Sequence, residues 1–274
     1  MIVDGHAHVW TLDSDHYPWQ PTFGFVPTEE AAPATLLANM DRQAVGHALL
    51  VQPSAYGRDH RFLFDAVQAH PNRFLAIGLV DPSDPVDTSN AMSLVSDRGC
   101  VGLRVNLSLN LETAAAQADG PGWAALEGCE VPISVRAMPA HHGLVKDVLV
   151  RYPRLRVVVD HLGLPEPGRL AEAADRLNEL ARFERCWLKI AGLARFSRSP
   201  PPYRDAWPVV RAALRSFGSS RLVWGSDFPA TGEGYEAAIQ AIESMPFLSQ
   251  ADRRRLLFET SRDLWGVPAG TSMP

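Results

Sequence analysis

Short runs of apolar residues recur along the chain, and stretches with helical periodicity separate them. Most of these runs are apolar throughout and do not alternate with polar residues, which is typical of parallel strands covered on both faces. There are eight of them, and they predict strands over 2–8, 46–52, 74–80, 100–106, 131–136, 155–161, 186–190 and 221–226.

The segments between these runs predict helices. In 168–184, apolar residues are spaced three or four apart and therefore share one helix face; they are Leu170, Ala173, Ala174, Leu177, Leu180 and Ala181. Ser249 has the position of an N-cap for a last helix that runs to about Leu264. Further helices are predicted over 34–43, 60–70, 84–97, 141–151 and 205–217.

Eight strands that alternate with helices predict an α/β fold, a single (β/α)₈ TIM barrel. Residues 1–274 contain no repeat, charged linker or low-complexity tract, so we expect one domain over this whole range. Distortion of the barrel from ideal geometry is left open. A doubly wound open sheet is the competing architecture, but no glycine-rich dinucleotide-binding turn follows any predicted strand.

The composition is that of a globular protein, and it narrows the choice of partners. Of the 274 residues, 46% are hydrophobic and 21% are charged, with a formal net charge of −5. This acidic balance argues against a nucleic-acid surface, and no apolar run reaches the roughly 20 residues that span a bilayer. The three scattered cysteines and the lack of an export signal predict a cytoplasmic protein, as a monomer or a homodimer.

Polar residues cluster where the predicted strands end. Barrel enzymes carry their active sites at the carboxyl ends of the strands. Seven of the eight predicted strands present an ionisable group at or just beyond that end, which is more than chance burial would tolerate. In chain order these positions are His6 and His8, Gln52, Asp81, Arg104 and Asn106, Arg136, Asp160 and His161, Lys189, and Asp227.

The first strand carries the sequence VDGHAHVW, in which alternation places Asp4, His6 and His8 on one face. Two imidazoles two residues apart can reach one metal ion, and His161 and Asp227 can add a third and a fourth ligand. Three nitrogens and one oxygen suit Zn²⁺ or a similar divalent ion, with room for a catalytic water. Plain hydrogen bonding is the alternative, and for Asp4 a structural role is expected.

Several motifs together resemble the amidohydrolase superfamily. They are DGHAH near the start, VQPSAYGRDHRFLFDA at 51–66, GLRVN at 102–106, VVVDHLGLP at 157–165, WLKIAGLAR at 187–195 and WGSDFP at 224–229. Within the superfamily they resemble the TIM-barrel group of 2-pyrone-4,6-dicarboxylate lactonases, sulfomuconolactonases and sugar lactonases. The resemblance covers about residues 2–266.

The resemblance implies hydrolysis, with His6, His8, His161 and Asp227 as the active-site quartet. Superfamily members with two metals have a bridging lysine and a histidine in the regions of the fourth and fifth strands, where this chain has arginines. Such cations would repel a second ion. We therefore expect either one divalent metal ion, with Zn²⁺ as the first candidate, or no metal ion. The pyrone lactonases work without a bound metal; in that case the histidines would polarise the carbonyl and Asp227 would activate water directly.

Arg104 and Arg195 match arginines with which pyrone lactonases hold substrate carboxylates. The second strand-four arginine of those enzymes corresponds to Asn110 here, which makes a smaller, mono-acidic or neutral-tailed lactone at least as good a candidate as a dicarboxylate. For the arginines the alternative is a structural ion pair with Asp81, Asp160 or a helix C-terminus, and for Lys189 it is a pair with Asp160. The predicted substrate-binding set, which fits a small anionic substrate, is Arg104, Arg195, Arg136, Lys189 and Asn106.

The leading hypothesis is a lactonase, with Asp227 and His161 as catalytic residues. Asp227 takes a proton from the attacking water, a metal ion or His161 stabilises the oxyanion, and the arginines hold a carboxylate. The alternative within the superfamily is nonoxidative decarboxylation of an aromatic or enoic acid, but those relatives begin with carboxylate-x-His where this chain has His6-x-His8. A binding protein that kept the barrel without catalysis is a third hypothesis, which the intact quartet disfavours.

Overall fold

In a computed structural model of the protein, parallel strands form one sheet in chain order, and each strand pairs with its neighbours in sequence. The structure describes residues 1–21, 25–167, 170–232 and 234–268. The eight strands are β1 (Ile2–Ala7), β2 (Val45–Val51), β3 (Phe74–Leu79), β4 (Gly102–Asn106), β5 (Ile133–Arg136), β6 (Val157–Val159), β7 (Cys186–Ala191) and β8 (Leu222–Gly225). Their order and direction confirm the predicted barrel.

The barrel closes where β1 meets the end of β8. The backbone N–H of Asp227 donates to the carbonyl of His6 at 2.8 Å, and the N–H of His8 donates to the carbonyl of Phe228 at 2.8 Å. Gly225 lies in this seam, and a Cβ there would come within 2.6 Å of the Cβ of His6. The contact that closes the barrel therefore also brings the histidines of β1 next to Asp227.

Helices cover the outside of the sheet. They are α1 (Pro33–Arg42), α2 (Arg61–Ala69), α3 (Pro85–Ser96), α4 (Leu111–Asp119), α5 (Gly122–Gly128), α6 (His142–Arg151), α7 (Leu170–Ala181), α8 (Trp207–Phe217), α9 (Tyr235–Glu243), α10 (Gln250–Arg254) and α11 (Thr260–Trp265). In α8, Val209, Val210, Ala213 and Phe217 are buried, as a helix with one apolar face requires. None of the helices in the described ranges is long and apolar enough to cross a membrane.

The helix predictions hold for six segments and miss three others. Helices α2, α3, α6, α7 and α8 lie within the predicted ranges, and α1 begins one residue before its range, whereas α4, α5 and α9 were not predicted. Part of the 168–184 prediction lies outside the described residues, namely positions 168–169 and the side chains of 170–175. Residues 269–274 of the predicted domain lie outside them as well.

The C-terminal helical segment closes the amino-terminal end of the barrel. Ser249 accepts a hydrogen bond from the Asp252 N–H at 3.1 Å, which confirms the predicted N-cap. A π-helical turn, Arg255–Glu259, joins α10 to α11. The Trp265 ring lies 5.3 Å from the Lys189 ammonium inside the barrel. The open end is therefore the carboxyl end of the strands, where the polar residues are.

Candidate active site

His6 and His8 both turn their Nε2 atoms to one point at the end of β1. These two nitrogens are 3.2 Å apart. The Nδ1 of His8 lies 2.7 Å from the carbonyl of Val51, so it carries the ring proton and leaves a lone pair on Nε2. Burial lowers the pKa of His8 to about 3, and burial followed by the charge of Lys189 lowers the pKa of His6. Both imidazoles are therefore neutral at neutral pH.

Asp227 follows β8 and joins this histidine group through a single oxygen. Its Oδ1 is 3.7 Å from Nε2 of His6, 3.9 Å from Nε2 of His8 and 4.0 Å from Nε2 of His161. Oδ2 accepts a hydrogen bond from Nε of Arg195. Oδ1 is buried and has no hydrogen-bond partner among the described residues. A carboxylate oxygen in this state is arranged to bind something that the protein itself does not supply.

Left-handed backbone places two of these side chains. Asp227 has φ of 62° and His161 has φ of 52°, a region that costs residues with a side chain about 1–3 kcal/mol. Gly192, at the end of β7, has φ of 66°, and a Cβ there would come within 2.7 Å of Asp227 Oδ2. This glycine leaves the space that the Asp227 carboxylate occupies.

His161 presents a lone pair to the site and no proton. Its Nδ1 lies 3.3 Å from the carbonyl of Ala191, so Nδ1 carries the ring proton and Nε2 is the acceptor. Burial lowers the pKa of His161, which keeps the ring neutral. In this tautomer His161 can ligate a metal or accept a proton, but it cannot donate a hydrogen bond to an oxyanion as the sequence analysis proposed.

A buried ion-pair network lies below the histidines. Nζ of Lys189 is 3.1 Å from Oδ1 of Asp160, 2.8 Å from Oγ of Ser134 and 3.2 Å from Nδ1 of His6. Arg104 donates from Nε to Oδ2 of Asp160 at 3.1 Å. Burial alone would raise the pKa of Asp160, but the two cations lower it to about 2. Lys189 was predicted to bind substrate; the structure places it beneath the site, where it holds His6.

The donor set fits one metal ion better than two. The separations between Nε2 of His6, Nε2 of His8 and Oδ1 of Asp227 are 3.2 to 3.9 Å, close to the spacing of ligands around an ion at about 2.0–2.2 Å. His6, Asp160 and His161 form another group with suitable distances. However, the oxygens of Asp160 already face Lys189 and Arg104.

A cavity of about 460 Å³ opens above these groups. Three arginines line it, which makes the cavity strongly cationic within a chain of net charge −5. Arg136 is among them; burial and the neighbouring Arg104 lower its pKa to about 10, so it remains protonated at neutral pH. The side chains that carry the chemistry of this cavity are His8, Arg104, Asn106, Arg136, His161, Arg195 and Asp227.

Aromatic residues of the long loop after β1 cover part of the cavity. Trp10 and Phe25 line it and contact each other edge to face, with 6.1 Å between ring centroids. Trp19 instead stacks on Tyr56 at 4.6 Å, so it packs beside the site and not over it. Phe23, in the same loop, lies outside the described residues.

Asp4 is structural, as predicted, and links β1 to the turn after β8. Its carboxylate accepts hydrogen bonds from the N–H of His6 at 3.1 Å, from the N–H and hydroxyl of Ser226 at 2.9 and 2.5 Å, and from the Tyr235 hydroxyl at 2.9 Å. Sequence reasoning did not find Ser226, Tyr235 or Ser134. Ser226 lies within the WGSDFP motif, but the motif does not show its hydrogen bonds to Asp4, and no motif marks Tyr235 or Ser134. These roles depend on which elements lie side by side.

Taken together, an eight-stranded parallel barrel with a His-x-His pair, a further histidine and an aspartate at its carboxyl end is the arrangement of a barrel hydrolase. The sequence profile of the Amidohydrolase family matches residues 3–267, and the chain belongs to this family.

Relatives and solved structures agree with this assignment. The chain is 27% identical to an L-fucono-1,5-lactonase of Burkholderia ambifaria, over 84% of this chain and 80% of the relative. It is 26% identical to a 4-sulfomuconolactone hydrolase of Hydrogenophaga intermedia, over 97% and 89%. The crystal structure of an amidohydrolase from Burkholderia multivorans with bound zinc superposes with a TM-score of 0.83, at 25% identity over 98% of this chain and 100% of that one.

Proposed function

We propose that this protein hydrolyses the lactone of a small carboxylate-bearing substrate at a mononuclear metal centre. The observation that carries the proposal is the unpartnered Oδ1 of Asp227, which faces three histidine Nε2 atoms at 3.7 to 4.0 Å beneath an arginine-lined cavity. The two sequence relatives described above, which are named for lactone hydrolysis, support this reaction over decarboxylation.

His6, His8 and Asp227 would hold the ion, with His161 as a fourth ligand within reach. A divalent ion such as Zn²⁺, when bound, supplies Lewis acidity, which lowers the pKa of water and polarises a carbonyl. The Lys189 ammonium faces Nδ1 of His6, so binding through Nε2 requires loss of a proton from this pair. We propose a single ion, since Asp160 is held by two cations.

Asp227 acts first as the general base and then as the general acid of the reaction. Its Oδ1 accepts a proton from the attacking water, whose oxygen forms the new bond to the lactone carbonyl carbon. The bond from that carbon to the ring oxygen then breaks, and Asp227 returns the proton to the departing alkoxide. Water and lactone thus become one hydroxy acid, and the carboxylate ends the cycle ionised. Arg195 keeps Oδ2 occupied, so that Oδ1 points to the reacting atoms.

The arginines of the cavity bind the carboxylate of the substrate. Arg104, Arg136 and Arg195 line the cavity, while Asp227 is the acidic residue among the side chains that line it. A guanidinium binds a carboxylate through two parallel hydrogen bonds. Held in this way, the lactone carbonyl lies over Asp227, and positioning of this kind contributes strongly to the rate.

A hydrolysis screen tests this proposal. Purified protein of known metal content is assayed with a pH indicator against carboxylated and neutral γ- and δ-lactones, with spontaneous opening subtracted. We expect proton release with at least one carboxylated lactone, and a loss of about 10³-fold in kcat for Asp227→Asn. Asp147→Asn, on the exposed face of α6, is the matched control and keeps full activity. Release of CO₂ from an aromatic or enoic acid, without lactone opening, would overturn the proposal.

A further inference from the structure

A second cavity of about 210 Å³ lies beside the main one, at the ends of β3 and β4 and against α4. Asn106 lines both cavities. A molecule bound over Asp227 therefore has a second compartment within reach past Asn106. The polar side chains that line this side cavity are Arg58, Asp81, Asp87, Ser108, Thr113 and Gln117, together with Asn106.

The amide of Asn106 is buried and unsatisfied. The residue is 8% exposed, and neither Oδ1 nor Nδ2 has a hydrogen-bond partner among the described residues. Burial of an amide without partners is costly, so such groups are commonly completed by a ligand or by water. An amide can donate and accept at once, which is the pattern that a hydroxyl group complements. The proposed hydrolysis makes no use of Asn106.

The wall around Asn106 is held in place by its own hydrogen bonds. Gln117 donates from Nε2 to Oδ2 of Asp81 at 3.0 Å and to the carbonyl of Asn106 at 3.3 Å. Its Oε1 accepts from the N–H of Ser108 at 2.8 Å. One glutamine thus joins α4 to the segments that follow β3 and β4. A cavity with such a wall is ready to bind before the ligand arrives.

The two cavities differ in charge. Arg58, which lines the side cavity, contacts Asp84 at 2.7 Å and Asp87 at 2.8 Å, so two carboxylates already occupy its guanidinium. Asp81 adds a further carboxylate to the same wall. A carboxylate of the substrate would be repelled here and attracted by the arginines of the main cavity. Neutral hydroxyl groups meet no such penalty, and they can donate to Asp81.

We propose that the side cavity, with Asn106 at its entrance, binds hydroxyl groups of a lactone whose carboxylate lies among the arginines. The inference rests on the proposed lactone hydrolysis and names the substrate class more closely: a polyhydroxylated acid lactone. Asn106 is then a specificity-determining residue, and it acts by hydrogen bonds to substrate hydroxyls that an unhydroxylated analogue lacks.

Matched lactones test the inference. The γ-monolactones of glucaric, mannaric and galactaric acid carry hydroxyls and a carboxylate; the γ-lactone of α-hydroxyglutarate carries the carboxylate alone. For Asn106→Leu we expect kcat/KM to fall on the order of 10- to 100-fold with a hydroxylated lactone, and less than about 3-fold with the analogue. Asn90→Leu, exposed on α3, is the control. Thr113→Val, which removes one hydroxyl from the side cavity, gives a smaller loss in the same direction and serves if Asn106→Leu fails to fold.

Binding of the ring-opened acids separates this inference from the proposed function. If the wild-type protein opens none of these lactones, the hydrolysis proposal fails for this class, and calorimetry with glucarate, mannarate, galactarate and α-hydroxyglutarate still tests the subsite. The inference is supported if Asn106→Leu weakens the binding of glucarate, mannarate or galactarate and leaves the binding of α-hydroxyglutarate unchanged. The inference is overturned if Asn106→Leu weakens the binding of both kinds of acid equally or changes neither. It is also overturned if the wild-type protein binds none of glucarate, mannarate and galactarate.

Discussion

Arg195 and Asp227 are joined through one carboxylate oxygen: Nε of Arg195 donates to Oδ2, and Oδ1 is left facing the histidines. The Asp227 side chain is fully buried, whereas that of Arg195 is 47% exposed at the cavity. The arginine can therefore hold the carboxylate and contact the substrate at the same time.

Replacement of Arg195 by glutamine is expected to affect both kinetic constants. The carboxylate of Asp227 loses the group that orients it, so kcat falls by about 10- to 100-fold, and loss of a substrate contact raises KM. Steady-state kinetics with the best lactone of the screen measures both. Arg182→Gln, at an exposed position after α7, is the matched control. A change in KM alone would show that Arg195 binds substrate without positioning Asp227.

Gly192→Ala tests the space that Asp227 needs. The new Cβ would come within 2.7 Å of Asp227 Oδ2, on a backbone with φ of 66° that disfavours any side chain. We expect a loss of about 10²-fold in kcat, together with a lower melting temperature. Gly218→Ala, which also has positive φ but open space around its Cβ, is the control for backbone strain alone. Equal kinetic effects of the two variants would contradict this role for Gly192.

The strands and much of the site could be predicted because they follow from local pattern. Buried parallel strands are continuous apolar runs, so the run at 155–161 predicted β6. His8, Arg104 and Asp227 were predicted as site residues because they are polar and lie at strand ends. Helix α4 was missed because its sequence, LETAAAQAD, has few large apolar residues and hence little periodicity. Its N-cap, Asn110, was the remaining signal.

The contacts between strands could not be predicted in the same way. That Lys189 meets Asp160 and Ser134 depends on the register of β5, β6 and β7 and on side chains that cross the barrel interior. For the same reason, the sequence left two roles open for Lys189, substrate binding and an ion pair with Asp160, and the structure shows the ion pair. The side cavity at Asn106 likewise requires α4 to lie against β3 and β4.

Lys189 and Asp160 should show strong energetic coupling. Both side chains are fully buried. Removal of Asp160 takes away the carboxylate that Lys189 faces, and removal of Lys189 leaves Asp160 with Arg104 alone; loss of one partner of a buried pair costs about 3–5 kcal/mol. In a double-mutant cycle with Lys189→Met and Asp160→Asn, we expect the double variant to lose less unfolding free energy than the sum of the single variants. Urea denaturation measures this. The exposed pair Arg151–Asp119, at 2.9 Å, is the control and should couple by less than about 1 kcal/mol. Additive losses at the buried pair would contradict the network.

His142 predicts a dependence of stability on pH away from the active site. It is buried against the Gly163 carbonyl, with 3.1 Å between Nε2 and the oxygen, and burial lowers its pKa to about 4 from 6.5. The unfolded chain binds the proton more readily than the folded one, so the stability that neutral His142 contributes is present above pH 6.5 and is lost as pH falls toward 4. His142→Gln should flatten this part of the stability curve, whereas the exposed His16→Gln should not. Parallel curves for wild type and His142→Gln, measured by urea denaturation at several pH values, would contradict the prediction.

Zinc should stabilise this protein through His6 and His8. A ligand that binds only the folded state raises the unfolding free energy by about 2.7 kcal/mol at a hundredfold excess over Kd. We therefore expect the melting temperature of chelator-treated protein to rise on addition of Zn²⁺ and its lactonase activity to return. His8→Ala, which removes one Nε2 from the group around Asp227, should abolish the thermal shift, while His16→Ala, on the exposed loop after β1, should keep it. Full activity in metal-free protein with no thermal shift would instead assign the reaction to Asp227 and the histidines alone, because water would then be activated by the carboxylate without a Lewis acid.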